Sequence, residues 1–231
     1  MPAVIPSVRR PGGFENQAHV GDSILVTKTF TQLTTVGNGT ITGAMVAGGI
    51  VRRTGPTAAF TDTFDTAQNI LNALKGNAPF PETMVGMSVD FYMTLGVAFA
   101  ATIAAGRGVV LGTQGGVLNI AASGAKEYLL TIQNDTPEIT LSINQAVAGV
   151  NVSFLLPPGM TAFKMGPAPD AVLVTPGMLM TGTGVPANTK VVGLRLGQGG
   201  IIGVVASASI PTTVTSITFS PVIEVNNVGA D

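Results

Sequence analysis

Apolar residues recur with a helical period in one stretch of the chain. Five of them follow at steps of three and four positions and so share one helix face: Phe64, Ala67, Ile70, Leu71 and Leu74. Oxygen-bearing side chains suited to capping a helix N-terminus lie around its start: Thr61, Asp62, Thr63 and Asp65. Gly76 and Pro79 end the pattern. We predict one amphipathic helix over about residues 63–75, lying across a sheet or closing the end of a β-sandwich.

The remaining apolar residues form short, β-branched runs such as "KEYLLTIQND", "EITLSINQ" and "VNVSFLLPPG". Turn signals, among them Gly106, Gly115-Gly116 and Asn134-Asp135, interrupt these runs at short and regular intervals. This rhythm is typical of antiparallel β proteins. The sequence therefore predicts an all-β fold, an antiparallel β-sandwich or barrel of jelly-roll-like type, with the one short α-helix.

Three segments are predicted along the chain. Residues 1–22 contain Pro2, Pro6 and Pro11 beside Gly12 and Gly13, which oppose a continuous helix or a central strand, so we expect an extended N-terminal arm. Residues 23–170 form the main β domain with the helix. A change in composition at "MGPAPDA" separates residues 171–231, which we expect to form a small C-terminal β domain and tail.

Composition narrows the classes of partner. Net charge is -1 and no block of like charge occurs, so the basic surface of a nucleic-acid binder is missing. The longest uncharged apolar run, over residues 95–106, is well short of the roughly 20 residues of a membrane-spanning helix. We expect neither a secretory signal nor a disulfide, and the absence of cysteine fits assembly in a reducing cytoplasm. With 10% charged and 45% hydrophobic residues, the chain is expected to hide apolar area between copies.

Catalytic and metal-binding patterns are weak. His19 is the single histidine and lies in the predicted arm, so neither a zinc site nor a Ser-His-Asp triad is expected. "GLRLGQGG" lacks the lysine and helix of a phosphate-binding loop, and Asn134-Asp135 lacks a calcium-binding loop. Asp62 and Asp65 are interpreted as helix caps rather than as an acid-base or metal pair. We therefore expect no enzyme activity, no catalytic residue and no metal or other cofactor.

Two segments resemble structural proteins of tailed-phage virions. The first is "GGIVRRTGPTAAFTDTFDTAQNILNAL" followed by "VGMSVDFYMTLGVAFAATIAAGRGVVLGTQGG" within residues 48–132. The second is "PGMLMTGTGVPANTKVVGL" with the later "TSITF", within residues 175–219. The resemblance implies a head decoration or cement protein, a head fibre or a tail component. It implies a location on the capsid surface after assembly in the host cytoplasm, and it supplies no catalytic residues.

Two adjacent arginine pairs, Arg9-Arg10 and Arg52-Arg53, are the candidate partner-binding residues. They are either solvated charges or docking groups. In the docking reading, Arg9 and Arg10 anchor the arm to an acidic shell protein, while Arg52 and Arg53 pair with carboxylates of a neighbouring copy.

Two functions remain open at this point. In the first, the chain binds the major capsid protein or other virion proteins and stabilises the shell, with a homotrimer as the favoured assembly. In the alternative, it is a fibre or tail-associated module that recognises a host receptor or glycan. Residues 171–231 contain Phe219 as their single aromatic, which disfavours a glycan site there.

Overall fold

The described part of the chain forms two compact units. The computed structural model describes residues 28–77, 83–112, 118–142, 161–164, 174–196, 202–210, 214 and 216–228, so the predicted arm lies outside it. The first unit contains the described residues up to Asp135 and those from Ile223 onward, and the second contains those from Thr136 to Val222. The second unit is thus an insertion into the first, whereas the sequence placed one boundary at residue 170.

Strands dominate both units, as the sequence predicted. In chain order the elements are β1 (Thr29–Leu33), β2 (Gly39–Ile41), α1 (Gly43–Gly48), β3 (Gly49–Arg53), β4 (Phe60–Phe64), α2 (Ala67–Asn77), β5 (Ser88–Leu95), β6 (Ala101–Ala104), β7 (Val109–Leu111), β8 (Ala125–Asn134), β9 (Ile139–Ser142), β10 (Thr161–Lys164), β11 (Leu179–Thr181), β12 (Val191–Leu196), β13 (Ile202–Ala206), β14 (Ser216–Ser220) and β15 (Val222–Asn227). The residues that the structure describes form two helices, where the sequence predicted one.

Two open sheets organise the first unit. One has the strand order β1-β3-β5-β8-β15-β7 and the other the order β2-β4-β6. From β1 to β6, successive strands alternate between the two sheets, and each strand pairs in parallel with the strand two places later in the chain, so that Thr29 lies opposite Gly49 and Gly39 opposite Asp62. The chain therefore winds in stacked turns, as in solenoid proteins.

The antiparallel prediction is wrong for these strands. Only the pairing of β5 with β8 is antiparallel among β1, β3, β5 and β8. Helices α1 and α2 lie in the connections from β2 to β3 and from β4 to β5, and such connections return the chain in the same direction. None of the sheets formed by the described strands closes into a barrel.

The helix boundaries depend on local caps. The Thr66 hydroxyl accepts a hydrogen bond from the Asn69 backbone N–H at 3.2 Å, and the Asp65 carboxylate accepts one from the Asn69 side-chain amide at 2.8 Å. Helix α2 accordingly begins at Ala67 rather than near residue 63. The residues before it form β4, so the interpretation of Asp62 as a helix cap is wrong.

The apolar face predicted for the helix is buried. Phe64, Ala67, Ile70, Leu71 and Leu74 all belong to the main core, which α2 shares with both sheets. Phe64 contributes from β4 rather than from the helix and contacts the rings of Phe91 and Tyr128. Helix α1 packs so closely on α2 that a Cβ at Gly43 would lie 2.5 Å from the Asn69 carbonyl oxygen.

The described strands of the second unit form two three-stranded antiparallel sheets. Their orders are β10-β13-β12 and β11-β14-β9. Both sheets contribute side chains to one apolar core, in which Phe219 of β14 is fully buried beside residues of β12 and β13.

Candidate interaction surface

The most unusual group in the first unit is a buried ion pair. Arg53 and Asp62 both have fully buried side chains, and the Arg53 Nε lies 2.9 Å and 3.2 Å from the two Asp62 carboxylate oxygens. Arg53 ends β3, and Asp62 is the middle residue of β4. Each side chain points inward because alternate residues of a strand share one face. The pair therefore joins the two sheets inside the core.

Arg53 also holds the connection between β1 and β2. Its Nη1 donates to the carbonyls of Leu33 and Thr35, and its Nη2 donates to the carbonyl of Gly37. The guanidinium carbon lies 4.8 Å from the centre of the Phe60 ring. One cation thus satisfies three backbone acceptors and one carboxylate, which is how a buried arginine avoids an unpaired charge.

A glycine beside Asp62 leaves room for the ion pair. A Cβ at Gly39 would lie 2.7 Å from the Asp62 Oδ1 and 3.1 Å from the Arg53 Nη2, so only glycine fits beside the pair. Burial raises the pKa of the Asp62 carboxyl, while Arg53 and the backbone of Gly39 oppose that rise. Burial, followed by the charge of Asp62, raises the pKa of the Tyr128 hydroxyl, which donates to the Leu118 carbonyl at 2.7 Å. These contacts lie inside the first unit, where the ion pair joins β3 of one sheet to β4 of the other.

The structure separates the two arginines that the sequence placed together. Arg53 lies inside the core and is bonded within its own chain, so in this structure it offers nothing to a neighbouring copy. Arg52 is exposed on the opposite face of the same strand. Arg9 and Arg10 lie outside the described residues. Of the four candidate residues, Arg52 is the one that the structure places on the surface.

Arg52 belongs to a solvent-facing sheet surface that the sequence analysis did not identify. In the register of β1, β3, β5 and β8, Phe30 lies opposite Ile50, Ile50 opposite Tyr92, and Tyr92 opposite Glu127. Phe30 is 57% exposed and Tyr92 40% exposed, while the alternate residues of β5, Phe91 and Met93, are fully buried. We call the exposed side of these four strands the outer face.

The charges of the outer face lie on different strands. Arg52 is on β3, where a Cβ at the neighbouring Gly96 would lie 2.9 Å from its Nε, so glycine makes room for the guanidinium. Asp90 is on β5 and Glu127 on β8, and both are exposed. Among the described residues, none of these three side chains has an ion-pair partner. Glu127 thus continues the apolar row beyond Tyr92, while Arg52 lies two residues after Ile50 on β3 and Asp90 two residues before Tyr92 on β5.

Neither a metal site nor a membrane-spanning helix occurs in the described part of the chain. No group of three or more His, Cys, Asp or Glu side chains among the described residues is arranged to hold a metal ion. No helix among the described residues is long and apolar enough to cross a membrane. Comparison with family models, with curated proteins and with solved structures gives no match. The outer face is therefore the candidate functional surface that the geometry supports best.

Proposed function

We propose that the chain is a non-enzymatic structural protein that acts by binding other protein subunits. The observation that carries this proposal is the outer face, where the exposed Phe30 and Tyr92 flank the half-buried Ile50 in a row across three strands. Aromatic residues and arginine are enriched in protein–protein interfaces, and Arg52 lies on the strand at the centre of this row. Water is a poor environment for such a row, and a protein partner would remove it from water.

The resemblance to phage virion proteins suggests the setting. We propose a decoration or cement protein on the capsid surface, assembled in the host cytoplasm and bound to the major capsid protein. In this proposal the N-terminal arm, with Arg9 and Arg10, anchors to the shell, and the body joins copies into a trimer. Because many copies bind one lattice, modest binding by each copy adds substantially to the stability of the particle.

The alternative is a fibre or tail-associated module that recognises a host receptor or glycan. A glycan site usually presents exposed aromatic rings, and Phe219, the single aromatic of residues 171–231, is fully buried in the core of the second unit. The sequence predicted a jelly-roll-like sandwich. We keep only the coarser part of that prediction as a proposal, namely that the two sheets of the second unit form a two-sheet sandwich. The exposed rings of Phe30 and Tyr92 lie in the first unit on the same face as Arg52, and we assign them to protein contacts, so the shell-binding role is the better supported of the two.

Rebinding to particles tests the proposal. Purified full-length chain is added to phage heads that lack it, and bound protein is measured after sedimentation of the heads. We expect saturable binding and an increase in the temperature at which the heads open. A full-length chain that folds, as judged by cooperative melting, but does not sediment with the heads would overturn the proposal.

Two variants locate the anchor. Deletion of residues 1–20 should abolish binding to heads while the body melts as the full-length chain does. Replacement of Arg9 and Arg10 by alanine keeps the arm and removes only its adjacent charges, so it separates the role of charge from the role of length. Unchanged binding by the deletion variant would show that the arm is not the anchor.

A further inference from the structure

We infer that the outer face is where copies of this chain meet, with the β3 side of one copy against the β8 side of another copy. The inference rests on the proposed function, because it names another copy of the chain as a partner of this structural protein, in addition to the shell. It assigns Arg52 to a contact with Glu127 of the neighbouring copy and places Tyr92 near the centre of the contact.

The first argument is the position of the apolar row. Phe30, Ile50 and Tyr92 lie side by side on neighbouring strands, so they form a continuous strip rather than scattered exposed residues. Strands in a sheet are about 4.8 Å apart, so the strip extends over about 10 Å. Residues buried at the centre of an interface are typically of this kind, with charged residues at the rim.

The second argument is the separation of charge across Tyr92. In the register of the sheet, Arg52 lies opposite Thr94 on the strand that precedes β5 in the sheet order, and Glu127 lies opposite Tyr92 on the strand that follows it. Asp90 adds a second exposed carboxylate on β5 itself. The outer face therefore carries both signs of charge at different positions, which makes it complementary to a second copy of itself.

The polarity of this arrangement selects the type of contact. A partner with a surface of one sign, such as an acidic shell protein, would leave one of the two groups facing a like charge, which is unfavourable. A second copy of the outer face carries both signs of charge, so its β8 side can place Glu127 against Arg52 while its apolar strip covers the strip of the first copy.

Charge reversal and its compensation test the inference. Sedimentation equilibrium is measured for the full chain and for the variants Arg52→Glu, Glu127→Lys and the double variant. We expect the unchanged chain to be oligomeric. For each single variant, the protein concentration at which the oligomer dissociates should be at least about tenfold higher than for the parent, and the double variant should recover most of the loss. Lys75→Glu, which reverses an exposed charge on α2, is the matched control and should leave the oligomer unchanged.

Each other outcome overturns the inference. The outer face is not the contact between copies if the unchanged chain is monomeric, if Arg52→Glu behaves like Lys75→Glu, or if the double variant associates no better than the single variants. Melting of every variant is measured alongside, and a variant that fails to fold is replaced by Arg52→Gln or Glu127→Gln. Binding to heads is a separate measurement, so a chain that binds heads as a monomer refutes this inference and the proposed trimer, while the proposed binding to the shell stands.

Discussion

Replacement of Arg53 by methionine is the sharpest perturbation of the first unit. Methionine keeps an unbranched side chain of comparable length but removes the charge and all the donors. Asp62 would then be a buried carboxylate without its cation, and three backbone carbonyls would lose the guanidinium. The prediction follows from burial, since an exposed arginine at the same position would be replaced at little cost.

The size of the effect can be worked out from these contacts. Breaking a buried ion pair by removal of one partner costs about 3–5 kcal/mol, and loss of the contact with the Phe60 ring adds about 0.5–1 kcal/mol. The Leu33 carbonyl keeps its hydrogen bond from the Thr54 N–H, and Thr35 and Gly37 lie in an exposed connection where water can replace the lost donors. We therefore expect Arg53→Met to lower the free energy of unfolding by about 3.5–6 kcal/mol.

Urea denaturation followed by circular dichroism measures this change. Lys75→Met is the control, because it also replaces a cation by methionine, at an exposed position of α2 outside the outer face, and it should change the free energy of unfolding by less than about 0.5 kcal/mol. The double variant Arg53→Met with Asp62→Leu removes both charges, and it should be more stable than Arg53→Met alone. Equal urea midpoints for Arg53→Met and Lys75→Met would refute the buried pair.

Three further substitutions probe the packing around the pair by the same measurement. Leu71→Ala, on the buried face of α2, should cost about 2–5 kcal/mol through lost burial and a cavity. Gly43→Ala should cost about 1–3 kcal/mol, because the new Cβ would meet the Asn69 carbonyl at 2.5 Å and push the two helices apart. Tyr128→Phe should cost about 1–2 kcal/mol, because the buried Leu118 carbonyl loses its donor.

Asn72→Ala on the exposed side of α2 is the control for these three variants. Its urea midpoint should stay close to that of the parent, since an exposed substitution in a helix costs little. A midpoint for Leu71→Ala that matches the control would show that this side of α2 faces solvent or a partner. Matching midpoints for Gly43→Ala or Tyr128→Phe would contradict the close helix contact or the buried hydrogen bond, respectively.

The sequence predicted the buried side of α2 because a 3.6-residue period leaves a direct trace in the order of residues. The start of α2 was predicted too early because the two-residue period of β4 runs into the 3.6-residue period of the helix. Phe60, Asp62 and Phe64 alternate with threonines and point into the core from β4. A carboxylate at a buried strand position looks like a cap or a surface residue until its partner, Arg53, is known. That partner is nine positions earlier in the chain, and nothing in a local pattern indicates it.

The direction of the strands was the second feature that could not be predicted from the sequence. Alternation of apolar and polar residues shows which face of a strand is buried, but it is the same in parallel and antiparallel sheets. The parallel stacking depends on α1, whose sequence "GAMVAG" is short and rich in glycine and therefore looks unlike a helix. It forms because the Thr42 hydroxyl accepts from the Met45 N–H and because Gly49, with φ 83°, ends it.

Part of the outer face was within reach of the sequence. Adjacent residues of a strand point to opposite faces, so Arg52 and Arg53 could not both have faced a neighbouring copy. The alternation in β5 likewise places Asp90 and Tyr92 on one side and Phe91 and Met93 on the other. The sequence does not show which strands lie beside one another, and the row of Phe30, Ile50 and Tyr92 exists only in the register of the folded sheet.

The number of copies on purified particles tests the central claim most directly. Quantitative mass spectrometry of phage particles measures the ratio of this chain to the major capsid protein. A decoration protein distributed over the shell should be present on the order of hundreds of copies per particle, in a fixed ratio to the lattice and as a multiple of three. A count of a few dozen or fewer, or the absence of the chain from particles, would contradict the account.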